Sequence, residues 1–204
     1  AVARSAPDGY TLFVGSNGPL TVNPFVQAKL GYDPLKDFSA VALTSYVPHA
    51  IILNDKVAAK TVAELIALSK KQQISIATSG VGSATHMTLE RFKAQTGANV
   101  VHVPYRSGGQ LMPDVIGGAI QAAMTEFSTA LPQHKGGKAH IVAITAAKRS
   151  QLAPEIPTFI EAGVKDFTAA SYIGILAPAG TPPAIVAQLQ KAIADALAGG
   201  PAPD

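Results

Sequence analysis

Cysteine is missing from all 204 residues, which excludes disulfides, thiolate metal sites and a cysteine nucleophile. Charge is also sparse. Charged residues make up 14% of the chain, and 16 basic against 13 acidic residues leave a net charge of only +3. The basic residues are scattered and no DNA- or RNA-binding motif appears, so nucleic acid is not an expected partner. Long apolar runs are absent too. The longest, Ala50–Leu53 and Ile173–Ala177, suit buried strands and not a membrane span. No signal peptide is present, but Ala1 without a Met and the tail Gly199-Gly200-Pro201-Ala202-Pro203 read as cut ends, so a removed signal would leave no trace.

Enzyme motifs are lacking as well. Gly80-Val81-Gly82-Ser83-Ala84-Thr85 begins like a dinucleotide fingerprint but ends in Thr, and no acidic residue near Val100 stands ready for a ribose. There is no Walker motif and no GxSxG nucleophile elbow. His49, His86, His102, His134 and His140 lack HExxH spacing, so no metal site is expected, and no cofactor.

What the chain does have is apolar residues, 48% of the total, enough for a well-buried core and too many for disorder. Strand and helix patterns alternate, which predicts an α/β protein with largely parallel sheets. Strands are expected at Tyr10–Gly15, Val41–Leu43, Ala50–Leu53, Ile74–Thr78, Val100–Val103, Ile120–Thr125 and Ile141–Thr145. Helices are expected near Thr21–Leu30 and at Thr61–Lys71, Ser83–Thr96, Gln110–Ile116, Ala130–Lys135 and Pro182–Leu197. Thr61 with Glu64 forms a capping box, Gly97 stops the third helix, and Thr181 caps the last with Pro182 at its first position. Phe167–Pro178 has no helical period and suits a strand crossing between lobes, with Tyr46–Asn54 as the matching outward crossing. The lobes are then 1–50 with 173–204, and 51–172.

Three times a strand runs through a small-residue loop into a helix: Gly15-Ser16-Asn17-Gly18, Thr78-Ser79-Gly80-Val81-Gly82-Ser83, and Arg106-Ser107-Gly108-Gly109-Gln110. The first helical N–H groups lack intrahelical partners and carry the positive end of the helix dipole, so they receive anions. Glycine admits a ligand to the backbone, and serine adds a hydroxyl. Each loop alone is equally an ordinary turn capped by Ser. Three at the carboxyl ends of strands, where open α/β sheets bind ligands, point to a carboxylate or phosphate site. Its candidate residues are Ser16, Asn17, Gly18, Ser79, Gly80, Gly82, Ser83, His86, Arg106, Ser107 and Gly108. His86, in the first turn of its helix, either donates as a neutral imidazole to a ligand oxygen or makes a local hydrogen bond. The loops hold no Asp, Glu or Lys that would serve as a catalytic acid, base or cofactor lysine.

Seven segments in order resemble the substrate-binding receptors of tripartite tricarboxylate transporters, the Bug-type receptors. They are Ala6-Pro7-Asp8-Gly9-Tyr10-Thr11-Leu12, Tyr32-Asp33-Pro34-Leu35-Lys36-Asp37-Phe38, Ser79-Gly80-Val81-Gly82-Ser83 through His86, His102-Val103-Pro104-Tyr105, Ala146-Ala147-Lys148-Arg149-Ser150, Pro157-Thr158 through Glu161-Ala162-Gly163, and Leu176-Ala177-Pro178-Ala179-Gly180-Thr181-Pro182. The resemblance implies a type II periplasmic-binding-protein fold, two α/β lobes with an interlobe cleft. It also implies a periplasmic, monomeric, non-enzymatic receptor that passes a small carboxylate (a di- or tricarboxylate, an acidic amino acid or an aromatic acid) to membrane components of such a transporter. It places the ligand loops at Ser16–Gly18, Ser79–His86 and Arg106–Gly109. The family's upstream strands, Pro/Gly-rich loop and C-terminal helix have no counterpart here, so the first lobe is expected to be incomplete. Where the family often has Asp-Asn, Ser128-Thr129 follow Phe127. Two other readings share the broad fold: the effector-sensing domain of a transcription regulator, and a two-lobed enzyme such as a transferase.

Overall fold

The computed structural model describes residues 1–199, so the tail from Gly200 lies outside the described residues. The chain divides into two compact units, one of Val47–Ser171 and one of Ala1–Tyr46 with the segment from Tyr172 onward. Among the described residues no helix is long and apolar enough to cross a membrane.

The Val47–Ser171 unit is built on the C-terminal half of β2 (Phe38–Asn54) with β3 (Ile74–Thr78), β4 (Val100–Pro104), β5 (Ala122–Glu126) and β6 (Ala139–Ile144). Their order is β6–β2–β5–β3–β4. β3 pairs parallel with β4 and β5, whereas β2 pairs antiparallel with β5 and β6. The largely parallel sheet expected above is therefore mixed, because β2 enters directly as a long strand and not through a crossover helix. Two separate strands were expected around Pro48, but β2 is one strand of 17 residues.

Helices α2 (Val62–Lys71), α3 (Ala84–Thr96), α4 (Gly108–Gly117) and α5 (Phe127–Lys135) cover this sheet. Successive β2 residues feed opposite cores. Ile51 and Leu53 pack with Leu65, Leu89, Phe92, Met124, Phe159 and Phe167, while Ala50 and Ile52 pack with Leu111, Val115, Ala123, Phe127 and Ile141. Burial on both faces explains the unbroken apolar run of this strand. Phe92, Phe159 and Phe167 form an aromatic triad with centroid separations of 4.8–6.3 Å.

Caps fix where the helices start. The Thr61 hydroxyl accepts from the Glu64 N–H, but the Glu64 carboxylate reaches the N–H of Lys60 and not that of Thr61. Ser83 caps α3 by accepting from the His86 N–H, and Gly97 ends the helix at φ +65°. α5 begins at Phe127 directly after β5, earlier than the expected Ala130, and carries Pro132 inside it.

In the other unit, β1 (Phe13–Ser16) pairs antiparallel with β7 (Ala170–Pro178), and β7 neighbours β2. The helix expected near Thr21–Leu30 is replaced by a π-helical turn at Gly18–Val22 and a single α-turn, α1 (Asn23–Val26). Gln27 then turns extended, since Pro24 and Gly31 leave little room for more helix. α6 (Pro183–Gly199) starts one residue later than expected. Thr181 accordingly does not cap it, and its hydroxyl donates to the Pro178 carbonyl. α6 has no buried residue, and Tyr10, Phe25 and Leu35 are almost fully exposed.

Candidate functional site

In the Val47–Ser171 unit, the second and third sequence-predicted loops meet at the carboxyl ends of β3 and β4. The Tyr105 N–H donates to the Thr78 carbonyl at 2.9 Å. A Cβ added at Gly80 would lie 2.9 Å from the Tyr105 carbonyl oxygen, and Gly80 has φ +120°. Only glycine fits both the space and the backbone there. From β4 the chain crosses back toward β5, where a Cβ on Gly108 would lie 2.7 Å from Thr125 Oγ1 and 3.1 Å from Glu126 Oε2. The residues Ser79–Ser83, Tyr105–Gly108 and Thr125–Glu126 therefore form one contiguous group.

Within the Ser79–Ser83 loop, several candidate groups are engaged locally. The Ser83 hydroxyl donates to the Gly80 carbonyl (2.7 Å), accepts from the His86 N–H (3.1 Å) and contacts Thr85 Oγ1 (3.0 Å). The Gly82 N–H donates to His86 Nδ1 at 3.1 Å. His86 thus makes the local hydrogen bond that was one of its sequence-based options. Its ring also stacks on His102 at a centroid distance of 4.0 Å. His102 Nε2 lies 2.6 Å from Thr78 Oγ1, and burial, then the neighbouring His86, holds its pKa below the usual value.

Ser79 differs from these. Its backbone N–H donates to Thr85 Oγ1, but its hydroxyl is buried without a hydrogen-bond partner. Leaving a buried hydroxyl unpaired costs about 1–3 kcal/mol, and this one lies beside two glycines and the start of α3. In the third loop, Arg106 and Ser107 are exposed. Ser107 precedes α4 without a side-chain cap bond, and Gly108 is buried at its first turn.

A hydrogen-bonded chain runs beside this group. His49 is fully buried on β2, with Nδ1 2.9 Å from Thr88 Oγ1 and Nε2 2.9 Å from Ser171 Oγ. Ser171 donates to Glu126 Oε1 at 3.0 Å. The Ser171 proton is committed to the carboxylate, so Ser171 accepts from His49 Nε2–H, while the Thr88 hydroxyl beside Nδ1 donates to the Ala84 carbonyl. Burial pushes the His49 pKa down to about 4, against the opposing pull of Glu126. The imidazole is therefore neutral at pH 7. The chain links α3, β2, β5 and the start of β7.

In the other unit, Ser16 ends β1 opposite Ile173. Asn17 Oδ1 accepts from the Tyr172 N–H at 2.9 Å, and its carbonyl accepts from Thr21 Oγ1. Gly18 opens the π-helical turn, with open space where a Cβ would be.

Among the described residues no group of three or more His, Cys, Asp or Glu side chains could hold a metal ion. A sequence profile described as Tripartite tricarboxylate transporter family receptor matches residues 1–202.

The chain belongs to this receptor family.

Protein BugT of Bordetella pertussis is 32% identical over 200 residues, covering 97% of this chain and 61% of that protein. The chain thus spans about three-fifths of the length of that curated relative. Among solved structures, R. palustris Rpa4515 with adipate is 31% identical with a TM-score of 0.86, covering 95% of this chain and 66% of that one. MatC from Rhodopseudomonas palustris with bound malate is 29% identical with a TM-score of 0.85, covering 98% and 68%. The periplasmic binding protein BugD is 31% identical with a TM-score of 0.85, covering 98% and 67%. The fold is accordingly the mixed α/β fold of periplasmic solute-binding proteins, and the family resemblance read from the seven segments is borne out.

For a receptor of this family, sequence reasoning missed Glu126, His49 and Ser171. Glu126 ends β5 and runs directly into α5 without a glycine loop, so no small-residue signal marked it. His49 and Ser171 lie 122 positions apart and meet only through the pairing of distant strands. The one available hint was a histidine directly before the apolar run Ala50–Leu53.

Proposed function

We propose that the protein is a periplasmic, extracytoplasmic solute receptor. It binds a small carboxylate and delivers it, chemically unchanged, to the membrane components of a tripartite tricarboxylate transporter. Family membership supports the receptor class, and the adipate and malate of two structural relatives support the ligand class. The observation that carries the reading to this chain's own residues is the buried, unpaired Ser79 hydroxyl between the end of β3 and the start of α3.

In this reading Ser79 donates to a ligand carboxylate oxygen, and the first-turn N–H groups of α3 and α4 provide its electrostatic setting. Gly80 and Gly108 allow the close loop packing. Arg106 and Ser107 are exposed ligand contacts, and Ser83, Gly82 and His86 hold the loop in shape. Ser16, Asn17 and Gly18 are the ligand loop of the other unit. The two units are the two lobes of the receptor.

The test is a thermal-shift screen of small carboxylates, followed by calorimetry and NMR of the ligand. Stabilisation with an unchanged ligand spectrum is expected. Conversion of the ligand would make the protein an enzyme, and no stabilisation by any carboxylate would remove the ligand class.

A further inference from the structure

We propose, on the basis of the carboxylate-receptor reading above, that Glu126 selects for a second group on the ligand: the bound carboxylate also carries an amine, whose ammonium is held by the Glu126 side chain. Glu126 ends β5 beside the third loop, and a Cβ on Gly108 at the first turn of α4 would lie 3.1 Å from its Oε2 and 2.7 Å from Thr125 Oγ1. The carboxylate therefore sits within the group of strand ends that contains Ser79.

Its surroundings leave its charge uncompensated. Among the described residues, no ion pair includes Glu126. Its hydrogen-bond donors are two neutral hydroxyls, Ser171 to Oε1 at 3.0 Å and Thr125 to Oε2 at 3.3 Å. Behind Ser171 stands His49, whose burial holds its pKa down to about 4. An ionised carboxylate offers about four lone-pair sites, so two hydroxyls leave it capacity for further donors. A half-buried carboxylate in this position repels a purely anionic ligand and attracts a cationic nitrogen. The hydroxyl chain from Thr88 through His49 and Ser171 holds the carboxylate in place. Selectivity then comes from its charge and not from its shape.

Glu126→Gln separates these roles, because the amide keeps an oxygen for Ser171 and loses the charge, while its NH2 can donate to the Thr125 hydroxyl that otherwise donates to Oε2. Four probes are titrated by calorimetry against wild type and variant: aspartate with succinate, and glutamate with glutarate, each pair differing by one amine. The wild type should bind the amine-bearing member of at least one pair tenfold or more tighter. In the variant that preference should collapse to within about threefold, with the amine-free probe bound as well or better. Equal loss for both members would show that Glu126 only positions Ser171, and wild-type preference for the amine-free probes would also overturn the proposal. Binding of none of the four overturns it as well. The wider carboxylate screen then decides separately whether the receptor reading stands.

Discussion

At the residue scale, the account rests on groups whose environments make opposite demands. Ser79 has a buried hydroxyl with nothing to bond, so Ser79→Ala removes an unsatisfied group and should leave thermal stability unchanged or slightly raised. The same change should weaken carboxylate binding about tenfold or more, because a hydrogen bond to a charged acceptor contributes about 1.5–3 kcal/mol. Calorimetry with the best ligand from the screen checks this, and unchanged affinity would assign Ser79 no ligand role. Ser83→Ala should behave in the reverse manner, losing about 1 kcal/mol of stability through its cap, as read by thermal denaturation. His49 gives a pH signature. Its folded pKa of about 4 lies below its unfolded value of 6.5, so above pH 6.5 both states are neutral and the group contributes no slope. As pH falls from 6.5 toward 4, the unfolded chain takes up a proton that the folded one resists. Stability should therefore drop by up to about 3 kcal/mol across that window. Denaturant melts of wild type and His49→Asn at pH 7, 5.5 and 4.5 measure it, and parallel pH dependences would show that His49 does not titrate as described.

At the element scale, the loops are positioned by helix starts and strand ends, and these were largely legible in sequence. α2 and α3 follow from their Thr61 and Ser83 caps and from Gly97, which are local signals, and β3 and β4 from their apolar runs. What escaped was set by tertiary pairing or by proline. β2 continues through Pro48 as a single strand. α5 starts at Phe127, before the expected Ala130, and the segment after Val26 is held by neither helical period nor cap. The candidate site divides in the same way. Ser79, Gly80 and Gly108 were readable as strand–glycine–helix loops. The engagement of the Gly82 N–H and the Ser83 hydroxyl within the loop was not, and neither was the approach of Glu126 to Gly108 from another strand. Gly80→Ala belongs to this scale. The added methyl would meet the Tyr105 carbonyl at 2.9 Å on a backbone with φ +120°. It should cost roughly 1–3 kcal/mol and spread the β3 and β4 loops, seen as a lowered melting temperature together with weakened binding. A neutral result would mean that the two loops are not held against each other.

At the scale of the whole molecule, the family match supplies the class that composition alone could not. The receptor reading predicts reversible binding of one carboxylate per chain. The most direct measurement is a calorimetric titration of the protein with carboxylates chosen by thermal shift, with NMR of the ligand before and after. The account predicts saturable one-to-one binding that Ser79→Ala weakens at least tenfold, with the ligand recovered chemically intact. Binding indifferent to Ser79, or conversion of the ligand, would contradict it.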